Sequence, residues 1–403
     1  MQPRPPEQNF STWFLLGREP LLSAAEIFSL LNIGPNDEYD YSVPFLRVRN
    51  KIDDNFILKL GGTIKIAEQL CEEVGESSLI ELIKNLLRKT EGKIVFGISL
   101  YGKGVSEKIV ERWGKQIKKD LKSEGRSVRY VFKNETNLSS VTVEKNDLTS
   151  GGFEFLVQQK NPDAFLCAKT IAVQPFESFG ARDFGRPGRD AESGMLPPKL
   201  ALMMYNLTRP NPNGILLDPF CGSGTVLCEA YLQGQRKLIG TDLSEKAISD
   251  TKTNFEWTKN SNPSLSAEIK IEVADATKLT TIISPSTVEM IATEPYMGRP
   301  LRGSEQQTEL DKQANELLNL YKLSFGQFSQ ILKPGARIIF VVPQFITRGF
   351  PIVISDRLVD EIKKFGFEPE PLLPEKIFSS PFIVYRRADQ RVAREIWKFK
   401  FKG

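Results

Sequence analysis

Two hydrophobic periods alternate along this chain. From Ser106 onward, Ile109, Trp113, Ile117 and Leu121 form an i+4 row with Lys and Arg on the other faces, which predicts an amphipathic helix. Residues 93–100 before it and 126–132 after it read as strands, the first ending at Tyr101-Gly102-Lys103-Gly104. Upstream, residues 10–17 are strand-like, residues 21–31 helical after a Pro20 and Ser23 start signal, and residues 45–48 a short strand. Ser139-Ser140-Val141-Thr142-Val143 and residues 153–157 complete an alternating α/β pattern. Residues 161–192 read as a connector: Pro162, Pro175 and Pro187 punctuate it, and 182–190 is too polar and Gly-rich for an element interior.

The pattern becomes more regular after Met195-Leu196-Pro197-Pro198-Lys199-Leu200, which opens a helix running to about Leu207. A buried strand ends at Leu217-Asp218, and Pro219-Phe220-Cys221-Gly222-Ser223-Gly224 is a tight turn into a helix starting at Thr225. Strands at 237–241, 269–274 and 288–293 alternate with a helix at 244–257 and a long one ending near Lys333-Pro334-Gly335. Residues 337–342 form a strongly apolar strand, and 382–385 with 396–401 read as an antiparallel pair around Ala388-Asp389-Gln390. Such alternation predicts an α/β fold, with a mostly parallel sheet and an antiparallel edge at its C-terminal end. There are no internal repeats.

Composition narrows the chemistry. The 403 residues contain no histidine, which excludes Ser-His and Cys-His nucleophile pairs and most catalytic zinc sites. Cys71, Cys167, Cys221 and Cys228 lack zinc or disulfide spacing, so no metal is expected, and Cys221 and Cys228 read as packing residues. No apolar run is long enough to span a bilayer, and Met1-Gln2-Pro3-Arg4-Pro5-Pro6 lacks the apolar core of a signal peptide, so a cytoplasmic location is expected. Net charge is only +4 but segregated: residues 93–133 hold 11 Lys or Arg against 4 Asp or Glu, and residues 386–402 hold 7 against 2. Clustered positive charge is the footprint of a nucleic-acid binder.

The spacing of 20 residues from Gly222 to Asp242 is the distance at which a doubly wound sheet sets a carboxylate against ribose hydroxyls. Gly222-Ser223-Gly224 lacks the third glycine of a dinucleotide site. The Asp218-Pro219-Phe220 run instead resembles motif I of S-adenosylmethionine-dependent methyltransferases. Residues 14–23, Phe-Leu-Leu-Gly-Arg-Glu-Pro-Leu-Leu-Ser, and the Met195–Leu200 segment resemble THUMP-containing tRNA guanosine-N2 methyltransferases of the position-ten type. The resemblance runs from Phe10 to Lys400, diffusely before Arg182 and specifically after it. It implies four segments: a ferredoxin-like unit at 1–62, a THUMP-like RNA-binding domain at 63–160, a linker at 161–192 and a Rossmann-like methyltransferase domain at 193–403.

The resemblance also implies residue roles. Asp218 would contact the cofactor amine, Asp242 the ribose, and Asp275 the adenine amino group. Pro197, Pro219, Phe220, Gly222, Gly224, Thr225, Leu243 and Ala276 would line the same cofactor site. Glu294-Pro295-Tyr296 stands where amino-methyltransferases of nucleic acids carry Asp/Asn-Pro-Pro-aromatic. There Glu294 and the Pro295 carbonyl would hold the exocyclic amine and Tyr296 would stack on the base. Glu replaces Asp or Asn, and the aromatic residue comes one position early. Lys103, Lys115, Lys118, Arg126, Arg182, Arg186, Arg299 and Arg302 are the expected RNA contacts. The expected reaction is methylation of guanosine N2 in tRNA, with a small activator subunit left open because some relatives need one. The same chemistry on rRNA or on adenine N6 of DNA, and an RNA-binding protein without turnover, are the alternatives.

Overall fold

A computed structural model describes residues 10–189, 195–301, 303, 305–347, 351–387 and 390–403. The chain forms two compact units, one of residues 1–20 and 36–176, the other of residues 21–35 and 177–403. Arg302, the Ala388-Asp389 turn and the end of the expected linker lie outside the described residues.

The first unit is built on strands β1 (Thr12–Leu16), β2 (Tyr39–Ser42), β3 (Phe45–Val48), β4 (Thr63–Val74), β5 (Ile94–Tyr101), β6 (Val128–Val131), β7 (Phe153–Asn161) and β8 (Ala164–Val173). They form one sheet in the order β2-β3-β1-β4-β8-β7-β5-β6, so the segments expected as separate domains at 1–62 and 63–160 share it. The expected linker contributes β8, hydrogen-bonded between β4 and β7. Its period-two pattern was present in the sequence: Phe165 and Cys167 enter one buried cluster, Leu166 and Ala168 another. Pro162 and Pro175 mark the ends of this strand and do not break it.

Four helices follow the chain: α1 (Pro20–Leu31), α2 (Glu76–Arg88), α3 (Glu107–Ser123) and α4 (Ser140–Lys145). The apolar stripes of α2, packed toward β8, and α3, packed on β5 and β6, meet in one core through Leu79, Ile83, Leu87, Val110, Trp113, Ile117 and Leu121. Gly114 is required on α3 because a Cβ there would lie 1.9 Å from the Tyr130 ring, whose hydroxyl donates to the Val110 carbonyl at 2.8 Å. Residues 140–145 are helical, with the Ser139 side chain at the N-cap accepting the Thr142 N–H.

A buried ionic cluster lies in the first unit. Lys65 Nζ donates to Glu154 Oε1 at 2.5 Å and to the Leu138 carbonyl at 2.7 Å. Ser99 and Thr170 hydroxyls donate to the two Glu154 oxygens at 2.6 and 2.7 Å. Burial lowers the Lys65 pKa, opposed by the Glu154 charge and hydrogen bond.

Helix α1, although early in the chain, belongs to the second unit, where Asn206 receives the Ser29 hydroxyl on its carbonyl and donates its amide to Glu26. The unit continues with α5 (Phe176–Phe184), α6 (Pro198–Leu207), β9 (Ile215–Asp218), α7 (Thr225–Leu232), β10 (Lys237–Asp242), α8 (Glu245–Asn260), β11 (Glu268–Val273) and β12 (Val288–Thr293). After these come α9 (Gln307–Ile331), β13 (Leu332–Phe345), β14 (Ile352–Val353), α10 (Ser355–Lys363), β15 (Phe367–Pro369), β16 (Phe382–Tyr385) and β17 (Val392–Phe401). The sheet order is β11-β10-β9-β12-β13-β17-β15, parallel through β13 and antiparallel beyond it. Strands β16 and β17 pair antiparallel as the sequence pattern predicts. Phe325 of α9 lies against Phe340, Phe367 and Phe399 at 5.0, 5.0 and 5.6 Å, tying the antiparallel edge to the parallel core.

Candidate cofactor and active site

Strand order reverses at β9, flanked by β10 on one side and β12 on the other. In open α/β sheets this switch point leaves a crevice outside the carboxyl ends of the strands. Register places Gly240 opposite Asp218, and Ile291 opposite Leu217, so Asp218, Asp242 and Glu294 come together at three adjacent strand ends.

Asp218 is buried. Its Oδ1 accepts from the Thr293 hydroxyl at 2.7 Å and the Phe220 N–H at 3.3 Å, and no described residue donates to Oδ2. Burial pushes its pKa up to about 7; the two donors oppose that shift and the charges of Asp242 and Glu294 add to it. Asp242 Oδ2 accepts the Gly222 N–H at 3.0 Å and Oδ1 the Ser244 N–H at 2.9 Å, which fixes the carboxylate and leaves a lone pair on each oxygen. The turn takes left-handed backbone at Gly222 (φ +53°) and Gly224 (φ +81°), and the space where a Gly222 side chain would stand is open. Thr251 on α8 holds the turn through a 2.6 Å bond to the Gly222 carbonyl. Pro219 and Phe220 form that turn, and Thr225 starts α7, whose N-cap Gly224 has no side chain to accept from the first-turn N–H groups. Pro197 takes the N-cap position of α6.

Leu243, beside Asp242, is 74% exposed, an apolar surface next to the carboxylate. Asp275 makes a local turn, its Oδ1 accepting the Thr277 N–H at 2.9 Å and hydroxyl at 2.7 Å; these bonds lower its pKa. Ala276 behind it is buried.

In the candidate catalytic loop, Pro295 is buried while Tyr296 is 53% exposed, with its carbonyl held by the Tyr321 hydroxyl at 2.7 Å. Arg394 of β17 donates through Nε to Glu294 Oε1, and its Nη1 reaches Gln390 at 2.9 Å. Oε2 of Glu294 receives no donor among the described residues. Sequence reasoning missed Arg394, which lies 100 positions away with no local signal. It also missed Thr293, although that residue adjoins Glu294.

Several expected RNA contacts take other roles. Arg126 donates to the Arg88 carbonyl at 2.8 Å and to the Thr90 carbonyl, closing a loop of the first unit. Arg182 pairs with buried Glu229 at 2.6 Å and lies over the Phe179 ring at 4.5 Å. Arg186 is 5% exposed and out of reach of a polyanion. These three arginines occur in basic or polar stretches, but each folds back onto acceptors a sequence cannot display. Lys115 is exposed and paired with Glu111 at 2.7 Å, Lys103 is exposed, Lys118 half-buried, and exposed Arg299 lies 3.6 Å from Glu316.

The glycine turn, the uncapped helix and the spare acceptors of Asp218 and Asp242 fit a nucleoside carrying an amino-acid end, as S-adenosylmethionine does. Among the described residues no helix is long and apolar enough to cross a membrane.

Residues 186–364 match the UPF0020 family, described as an RMKL-like methyltransferase domain. A tRNA (guanine(10)-N2)-dimethyltransferase of Pyrococcus abyssi is 34% identical over 134 residues, 33% of this chain and 37% of the relative. The enzyme of the same name from Methanocaldococcus jannaschii is 38% identical over 108 residues, 26% of this chain and 29% of the relative. The matched part thus spans little more than a third of these relatives' length, or less. TrmN from Thermus thermophilus superposes over 97% of this chain and 99% of its own with a TM-score of 0.54 at 16% identity, a likeness of fold. Residues 186–364 are therefore similar to the UPF0020 methyltransferase domain, and the fold of the chain is like that of TrmN.

Proposed function

We propose that the protein methylates guanosine N2 of a tRNA from S-adenosylmethionine. The observation that carries this reading is the meeting of Asp218, the glycine turn, Asp242 and Glu294 at adjacent strand ends. The names of the curated relatives support the tRNA substrate. The cofactor supplies a methyl group on a sulfonium. Asp242 accepts the ribose hydroxyls, Asp218 meets the amine of the amino-acid end, and the exposed Leu243 side chain lies against the adenine.

Glu294 and the Pro295 carbonyl accept the two protons of the exocyclic amine and orient its lone pair. Arg394 keeps one Glu294 oxygen occupied, so the other faces a single task. The longer reach of Glu relative to Asp is taken up by this lateral anchor on β17. Tyr296 stacks on the base once it leaves its helix. The amine proton passes to Glu294 or to water after transfer. Lysines of the 93–133 segment, exposed Lys103 and half-buried Lys118 among them, supply sequence-independent attraction for RNA. A cytoplasmic location belongs to the same reading.

The test is incubation of the protein with labelled S-adenosylmethionine and an unmodified tRNA transcript, then nucleoside mass analysis. Recovery of N2-methylated guanosine is expected; a methylated adenosine overturns the substrate. Glu294→Gln is expected to slow transfer by about 100-fold with cofactor affinity unchanged. Full activity in that variant removes Glu294 from the chemistry.

A further inference from the structure

Arg186 sits in the short segment between α5 and the first undescribed residues of the second unit. That segment is fastened to the glycine turn by Asn254 of α8, a buried side chain. Its Oδ1 accepts the Gly188 N–H at 2.7 Å, and its Nδ2 donates to the Gly188 carbonyl at 2.9 Å and the Ser223 carbonyl at 2.8 Å. The Arg186 guanidinium is thereby brought to the start of α7, where Nη1 donates to the Thr225 hydroxyl. Its Nε and Nη2 are buried and have no acceptor among the described residues. The nearest turn of α7 offers no free carboxylate, because Glu229 is engaged by both Nε and Nη2 of Arg182.

A guanidinium presents its donors in a fixed planar fork that matches a carboxylate. Leaving two of those donors buried and unmet is unfavourable unless something else meets them. The first turn of α7 has its own unmet donors, since Gly224 provides no side-chain cap. Both sets of donors belong to one place in the fold, and both select negative charge.

We propose that Arg186 and the first turn of α7 form a carboxylate subsite that takes the α-carboxylate of the amino-acid end of S-adenosylmethionine. The assignment rests on the cofactor reading above and gives Arg186 a different role from RNA contact. Arg182 supports the subsite indirectly, by occupying Glu229 so that it does not compete for Arg186.

Calorimetric binding of three nucleosides tests it: S-adenosylhomocysteine, its decarboxylated analogue, and methylthioadenosine, which lacks the whole amino-acid end. The wild-type protein is expected to bind S-adenosylhomocysteine about 10- to 100-fold more tightly than the decarboxylated analogue. Arg186→Met is expected to lose that factor for S-adenosylhomocysteine and to bind methylthioadenosine as the wild type does. Arg186→Lys retains the charge without the fork and falls between them. Equal loss for all three nucleosides in Arg186→Met assigns Arg186 to packing and overturns the subsite. So does a wild-type protein that does not distinguish S-adenosylhomocysteine from its decarboxylated analogue, a result independent of whether any variant folds. A wild-type protein that binds none of the three overturns the cofactor reading itself, whereas binding without discrimination leaves that reading standing.

Discussion

Lys65 in the first unit and Arg186 in the second are both buried cations, and their surroundings differ in kind. Lys65 has a carboxylate and a carbonyl, and the Glu154 oxygens that face it are further satisfied by Ser99 and Thr170. Among the described residues Arg186 has one hydroxyl partner and two nitrogens without an acceptor. The first arrangement is closed and serves the fold. The second is buried but incomplete beside the first turn of α7, where the proposed ligand would supply the missing partner. A buried charge therefore says little by itself; the completeness of its hydrogen bonding separates a structural group from a binding one.

Breaking the closed cluster should have the largest effect. Lys65→Met strands the Glu154 carboxylate and is expected to destabilise the first unit by about 3–5 kcal/mol, read from denaturant unfolding. Adding Glu154→Leu should return most of that loss, because both charges are then gone. A loss that persists in the double variant would show that the cluster's shape matters more than its charge balance.

The open side responds to pH. A carboxyl whose folded pKa is raised to about 7 holds its proton more tightly in the folded state than in the unfolded one. Its contribution to stability is present below the ordinary carboxylate range and is lost as pH rises toward 7. An ammonium ligand prefers the ionised form, so affinity for S-adenosylhomocysteine should rise by about tenfold between pH 6 and pH 8. Asp218→Asn should bind more weakly and without that rise, and a rise of the same size in the variant would place the titrating group elsewhere.

The smallest effect is expected where the comparison is sharpest. Arg186→Met without ligand should change stability by no more than about 1 kcal/mol, because it removes an unmet charge along with one hydrogen bond. A loss as large as that of Lys65→Met would mean that Arg186 is as much a structural cation as Lys65.

Much of the second unit was legible because its signals are local. The turn at Gly222 and Gly224, the acidic residue at Asp242 and the Glu294 loop each depend on neighbours within a few residues. The i+4 row on α3 was legible for the same reason. The β8 strand was not, because Pro162 and Pro175 just outside its ends made the stretch read as a connector. Asp275 had the expected position, yet its Oδ1 is spent on the Thr277 turn, a choice made by local geometry that composition does not reveal.

From the sequence alone came the α/β class, the strand-turn-helix at Asp218 to Thr225, and the type of chemistry that a chain without histidine can perform. Those follow from backbone periodicity, glycine's access to left-handed backbone and side-chain pKa values, all properties of short stretches. Tertiary structure decided which charges are free. It paired Arg394 with Glu294, engaged half-buried Arg126 and Arg182 with acceptors of their own unit, joined α1 to the second unit, and left Arg186 beside α7 with donors unmet among the described residues. Each of those outcomes depends on partners brought together by sheet order across tens to hundreds of residues, a relation that no local pattern encodes.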